Sequence, residues 1–215
     1  MTGRWRASLG ALALCVLTLL GLSSCAWKLV PPRNGTEPVP VFVSEYGRHT
    51  RLALPDGTAA FFEYGFGEWN FYGLEKTSVF SALRAITGLG RGAFSRRKLP
   101  YTLEESRFVQ AAGSRRSVRL FVERSRAEEL RFELETRWRA NLGTVVMRAW
   151  DQIPVSRDGA RYHLFHNSNQ AVAGWLKRLG CRVLGYPITA NFQIVKESAA
   201  VERRSPQPPG GGTPW

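Results

Sequence analysis

A hydroxyl nucleophile needs a base beside it, and that base needs a third polar group to orient it. Ser168, His49 and Glu63 are the candidates for those three roles. Ser168 follows Asn167, whose side chain suits an N-cap. It opens a stretch in which Val172, Trp175, Leu176 and Leu179 fall on one helical face, with Lys177 and Arg178 off that face and Gly180 as a stop. The first turn of a helix has unpaired N–H groups and the positive end of the dipole, which favour a nucleophile or an anion. The backbone N–H of Ser168 is a candidate oxyanion donor. Capping chemistry alone also accounts for such a polar turn. His49 opens an expected strand, and Glu63 on the next one could hold a ring nitrogen. A single strand histidine is more often structural than catalytic.

His163 and His166 stand at an interval that suggests a metal pair. On an expected strand and turn that interval does not put both rings on one side. No cysteine or carboxylate cluster joins them, so no metal and no cofactor is expected. Phosphate loops, dinucleotide fingerprints and Gly-x-Ser-x-Gly elbows are absent from the sequence.

The elements that must position these residues read as α+β, an antiparallel β-sheet packed against helices. Val41 to Val43 is a strand core, Tyr46 to Arg48 a turn, and His49 to Leu54 and Ala59 to Tyr64 are two more strands. Gly65 to Gly73 is an aromatic, Gly-rich loop, with Trp69 and Tyr72 able to line a pocket. Thr77 or Ser78 starts a helix to about Thr87, and Gly88 to Gly92 breaks it. Lys98 to Leu103 and Val118 to Glu123 alternate as strands. Ser125 with Glu128 resembles a capping box before a helix carrying Leu130, Leu134, Arg137 and Trp138 on one face. Gly143 to Asp158 carries no clear pattern. Ala160 to Phe165 and Ile188 to Val195 complete the strands.

The N-terminal residues have a different character. Arg4 and Arg6 precede an apolar run from Leu9 to Leu22, and Leu22-Ser23-Ser24-Cys25 closes it with small residues. This is the pattern of a signal peptide over residues 1–24 ending in a lipobox, with Cys25 lipidated, for instance by palmitate. Ala26 after that cysteine is similar to lipoproteins sorted to the outer membrane, facing the periplasm. Residues 25–38 read as a Pro-rich linker, 39–200 as the folded domain and 201–215 as a disordered tail. Cys15 leaves with the signal, so Cys181 has no partner and is expected as a buried thiol. The net charge of +13 lies in scattered clusters without the interleaved aromatics of a nucleic-acid platform. A solvated face, or attraction to anionic headgroups, fits better. The expected partners are the membrane, through Cys25, and a cell-wall peptide or lipid, not nucleic acid.

Three pieces of the chain carry a resemblance. They are Val43-Ser44-Glu45-Tyr46-Gly47-Arg48-His49-Thr50, then Phe62-Glu63-Tyr64-Gly65-Phe66-Gly67 with Phe71-Tyr72, then Tyr162-His163 leading to Asn167-Ser168-Asn169 and Trp175. Together they resemble a family of uncharacterised bacterial envelope proteins with a circularly permuted papain-like fold. That family is related to NlpC-type peptidases and lecithin retinol acyltransferase-like enzymes. It usually reads Gly-Trp-His-Thr-Gly, Glu-Phe-Gly-Trp-Gly-Asp and Asn-Thr-Cys-Asn at these places. The resemblance implies His49 as base, Glu63 as the orienting residue and position 168 as nucleophile.

Two departures bear on that expectation. Ser168 stands where the family has Cys, and Arg51 where it usually has Gly. A helix N-terminus and a nearby imidazolium can expose a thiolate near neutral pH, but not an alkoxide. Two functions are therefore expected. One is a lipid-anchored hydrolase or acyltransferase acting on amide or ester bonds through Ser168, His49 and Glu63. The other is a catalytically inactive lipoprotein that uses the same cleft, with Asn167, Asn169, Tyr46, Trp69 and Tyr72, to bind a peptide, glycan or lipid.

Overall fold

The computed structural model describes residues 26–33, 35–76, 78, 87 and 90–195. The expected signal peptide, Cys25, the helix expected from Thr77 to Thr87 (apart from Ser78 and Thr87 themselves) and residues 196–215 lie outside the described residues.

Alternating apolar residues build the strands. Val41 and Val43 in β2 (Pro38–Glu45), Leu52 and Leu54 in β3 (Thr50–Pro55), and Tyr64 and Phe66 in β4 (Ala60–Glu68) line one face. They are joined by β5 (Gly90–Pro100) and β6 (Arg116–Glu123). A two-residue strand β7 (Val146–Met147) and β8 (Pro154–Tyr162) complete a seven-stranded sheet, ordered β6-β2-β3-β4-β5-β8-β7. Every pairing in this sheet is antiparallel. The architecture is α+β.

Among the described residues, three α-helices cover the sheet. Helix α2 (Arg124–Arg139) presents Ala127, Leu130, Leu134 and Trp138, and α3 (Ser168–Arg178) presents Val172, Trp175 and Leu176, all to the same face. Full burial of such a side chain is worth roughly 1.5–3 kcal/mol, so this face holds the main core. Helix α1 (Glu105–Ala112) covers the opposite face, where Phe108 stacks on Phe42 at 3.9 Å.

Several boundaries differ from the expected ones. Trp27–Val30, expected within the linker, is strand β1 of a second sheet, with β9 (Arg182–Leu184) and β10 (Phe192–Ile194) on either side. Trp27 and Leu29 are buried there, and the Trp27 indole donates to the Thr189 carbonyl at 2.9 Å. The prolines between β1 and β2 hid this short strand. β4 runs on to Glu68, because its glycines admit close neighbours: a Cβ on Gly67 would lie 2.4 Å from the Tyr72 ring. β5 likewise begins at Gly90, inside the expected break. The capping box at Ser125 does not form; α2 starts at Arg124, and Glu123 before it makes no side-chain cap bond. Arg137 pairs with Asp158 at 2.5 Å while its guanidinium stays over the core rings of Phe66 and Phe94, 5.4 and 4.9 Å from their centres.

Candidate functional site

The β2–β3 hairpin sets the direction of His49. Tyr46 N–H donates to the His49 carbonyl at 2.9 Å across a turn in which Gly47 takes φ +85°. Paired residues share a face of a sheet, and successive residues alternate. Tyr46 points to the α1 side, where its hydroxyl donates to Glu63 Oε1 at 2.6 Å, and His49 follows it. There the imidazole lies edge-on to Tyr72, with ring centroids 5.8 Å apart. Burial, followed by the charges of Arg51, Arg148 and Arg48, pushes its pKa down to about 4. At neutral pH the ring is uncharged and a weak base.

Glu63 is enclosed by other partners. Its Oε2 accepts from Arg97 Nε at 2.7 Å and lies 3.4 Å from Arg51 Nη1, while Oε1 accepts from Tyr46. Both oxygens are thus engaged, and no hydrogen bond joins Glu63 to His49 among the described residues. Its expected role as the orienting group on that ring is not what the structure displays. The reason is that Arg51 and Arg97 take the carboxylate, Arg51 being buried and also donating to the Tyr72 hydroxyl at 2.9 Å.

Ser168 sits where the helix reading put it. Asn167 caps α3, accepting from Asn169 N–H at 2.9 Å and Gln170 N–H at 3.1 Å, and the Gln170 side chain accepts from Asn167 N–H at 3.2 Å. This is a complete capping box. Asn169 ties the helix to the hairpin. Its Oδ1 accepts from Thr50 N–H at 2.9 Å and lies 3.2 Å from the Thr50 hydroxyl; its Nδ2 donates to the carbonyls of Arg48 at 3.2 Å and Ile188 at 2.9 Å. Ser168 is therefore brought to the same end of the sheet as His49. Its backbone N–H and hydroxyl both meet the Tyr162 phenol, which burial pushes up in pKa despite them. Thr50 faces α3, whereas His49, one position earlier, faces α1. No hydrogen bond joins Ser168 to His49 among the described residues.

The other expected binding residues divide. Tyr46 lines an open cleft beside His49. Trp69 and Tyr72, in a π-helical turn (Trp69–Gly73), are buried in a small cluster with Ala93, Ile153 and Val155 rather than presented to a ligand. Asn167 and Asn169 hold the helix and hairpin together. His163 and His166, expected on different sides, form a bridge that brings their rings to 5.8 Å. Burial, then the neighbouring His163, lowers the pKa of His166. Among the described residues no group of three His, Cys, Asp or Glu could hold a metal ion.

The cleft itself has a volume of about 730 Å³ and is bounded by the hairpin turn, the C-terminal end of α1 and Trp150. Arg48, Arg51, Arg97 and Arg115 line it, with Asp151 as its acidic residue. The side chain of Arg148 lies just behind, 4.4 Å from the Tyr72 ring centre and 5.1 Å from that of Trp150. In the sequence Arg97 and Arg115 belong to the scattered basic clusters and Arg48 to a turn; that they meet with Arg51 and Arg148 at one cleft was not legible, because the five come from four separate stretches. The local signals were Arg48 beside Gly47 and the basic runs Arg96-Arg97-Lys98 and Arg115-Arg116.

No protein-family model, no curated protein and no solved structure matches this chain.

Proposed function

We propose that this chain is a lipid-anchored envelope protein of permuted papain-like fold that binds a ligand in the cleft beside His49 without performing the thiol chemistry of the family it resembles. One observation carries the reading: His49 faces arginines, while Glu63, the carboxylate that would orient it, is held by Arg51 and Arg97. A triad needs the reverse, a base close to neutral in pKa with a carboxylate behind it. Arg51 is also where the resembled family usually has Gly, and Ser168 where it has Cys. The two departures support a common cause, since a retained cleft has no use for a triad. Cys25 as the lipid anchor at the outer membrane rests on the sequence pattern.

A second reading, a Ser168 hydrolase or acyltransferase, draws on the Asn169 bridge, which holds the start of α3 against the residues flanking His49. Treatment of the purified full chain with a serine-reactive fluorophosphonate separates the two. The binding reading expects no adduct at Ser168. An adduct that disappears in both Ser168→Ala and His49→Ala would establish the hydrolase instead. Metabolic labelling with an alkyne fatty acid, lost in Cys25→Ser, tests the anchor.

A further inference from the structure

Building on the binding reading, we infer that the cleft recognises a phosphomonoester, seated between the guanidinium groups of Arg48 and Arg115 at the hairpin turn. Charge is the first argument. Five guanidinium groups, those of Arg48, Arg51, Arg97, Arg115 and Arg148, surround or back the cleft. Three carboxylates answer them: Glu63 with Arg51 and Arg97, Asp151 with Arg51 and Arg148, and Glu75 with Arg148. The surplus is two positive charges. It resides at Arg48 and Arg115, both exposed and neither within ion-pair distance of a carboxylate among the described residues. A phosphomonoester carries about −1.5 to −2 at neutral pH and offers three acceptor oxygens, so it matches that surplus where a single carboxylate would leave half of it.

Geometry is the second. Arg115 lies against the turn, its Cζ 3.0 Å from where a side chain on Gly47 would begin. Gly47 has no side chain to keep the guanidinium away, and its φ of +85° favours glycine. The two forks therefore flank one turn, the arrangement that suits bidentate contact with a phosphoryl group. Behind them Arg148 is only 5% exposed, and its Nε and Nη1 have no hydrogen-bond partner among the described residues. Glu75 and Asp151 balance its charge from 3.7 and 3.5 Å, so what it adds behind the cleft is buried N–H donors without hydrogen bonds. At the rim Trp150, 72% exposed, offers a flat apolar surface for whatever the phosphate is attached to.

The phosphomonoester could belong to a small soluble ester or to a lipid headgroup at the membrane, and the test separates them. The full chain, in detergent micelles, is titrated with inorganic phosphate and with glycerol 3-phosphate while the His49 ring and Trp150 indole signals are followed by NMR. A flotation assay then compares phosphatidylcholine vesicles with and without phosphatidic acid. Saturable shifts of both signals are expected, with the His49 titration midpoint moving up as the anion offsets Arg48, Arg51 and Arg148. Arg48→Ala and Arg115→Ala should each weaken glycerol 3-phosphate about tenfold, the loss of one charge-assisted contact. Both lie on the surface without ion-pair partners, so both variants should fold as wild type does by circular dichroism. Additional flotation with phosphatidic acid that is lost in the double variant assigns a headgroup; solution binding without it assigns a soluble ester. Undiminished phosphate binding in the double variant overturns the inference. So does the absence of any response to phosphate when a neutral cell-wall fragment moves the same signals, an outcome that leaves the binding reading intact. A fluorophosphonate adduct at Ser168 overturns that reading separately.

Discussion

Arg51 and Glu63 lie 3.4 Å apart on neighbouring strands with both side chains withdrawn from water. Burying two charges costs several kcal/mol each in desolvation, and the pair is tolerated because each has further partners. Glu63 also has Arg97 and Tyr46, and Arg51 also has Tyr72 and, at 3.8 Å, Asp151. The pair decides the chemistry of the cleft, since it withholds the carboxylate that a catalytic His49 would need.

The two halves of this pair should not be equally sensitive. Removing Glu63 leaves two buried or half-buried guanidiniums facing each other, whereas removing Arg51 leaves Glu63 with Arg97 at 2.7 Å. Glu63→Ala is therefore expected to lower stability by about 3–5 kcal/mol and Arg51→Ala by clearly less. Urea unfolding of both variants checks the order, and a larger loss for Arg51→Ala would contradict this account of the network.

Asn169 and Asn167 give a second comparison. Asn167→Ala removes a helix cap and the Nδ2 bonds to the Leu164 and Ile188 carbonyls, the latter keeping Asn169, and should cost about 1–2 kcal/mol. Asn169→Ala strands the buried Thr50 N–H and the Arg48 carbonyl, each worth roughly 1–3 kcal/mol when left unpaired, while the Ile188 carbonyl keeps Asn167 Nδ2 at 3.3 Å, so the cost of Asn169→Ala should be the greater. Hydrogen exchange locates the effect: the Thr50 amide should lose its protection in Asn169→Ala and keep it in Asn167→Ala. Equal protection in the two variants would show that the helix and hairpin are held some other way.

The first histidine also predicts a pH response. His49 is pushed down to about 4 in the folded chain, below the 6.5 of an unhindered imidazole. Between those values the unfolded chain binds a proton that the folded one does not. Stability is then complete above about pH 6.5 and falls as pH drops toward 4. His166, also lowered, acts in the same direction. In His49→Gln the slope of unfolding free energy against pH should flatten over this window. An unchanged slope would mean that His49 titrates normally.

Helix α3 was readable from sequence because its signals are local: a cap at Asn167, apolar spacing to Leu179 and a stop at Gly180, which takes φ +88°. The β2–β3–β4 strands were readable for the same reason, with turns at Gly47 and Gly57. β1 was not, since its burial depends on β9 and β10, more than 150 residues away, and its flanking prolines imitate a linker. Helix α1 was missed because only Phe108 and Ala112 are buried on it, too few to mark a face. At the candidate site, residue types pointed to Ser168, His49 and Glu63. Which partner Glu63 would take depended on Arg97 in β5, a contact across the sheet that no local pattern reveals. Arg51 was visible as a departure, but its consequence was not.

Cys181 provides a gauge of how firmly α3 is held. The thiol is buried just beyond the helix, and burial pushes its pKa up to about 12. Two barriers thus oppose alkylation at neutral pH: access, and the small fraction of thiolate. Its N–H donates to the Leu176 carbonyl at 3.0 Å, so exposing the sulfur requires the end of α3 to open. Iodoacetamide should therefore label Cys181 slowly in the native chain and quickly in urea. Asn169→Ala, which frees the other end of the helix from the hairpin, should speed native labelling. If the rate instead follows global unfolding alone in both proteins, α3 opens only with the whole sheet, and the Asn169 bridge stabilises the domain rather than the helix.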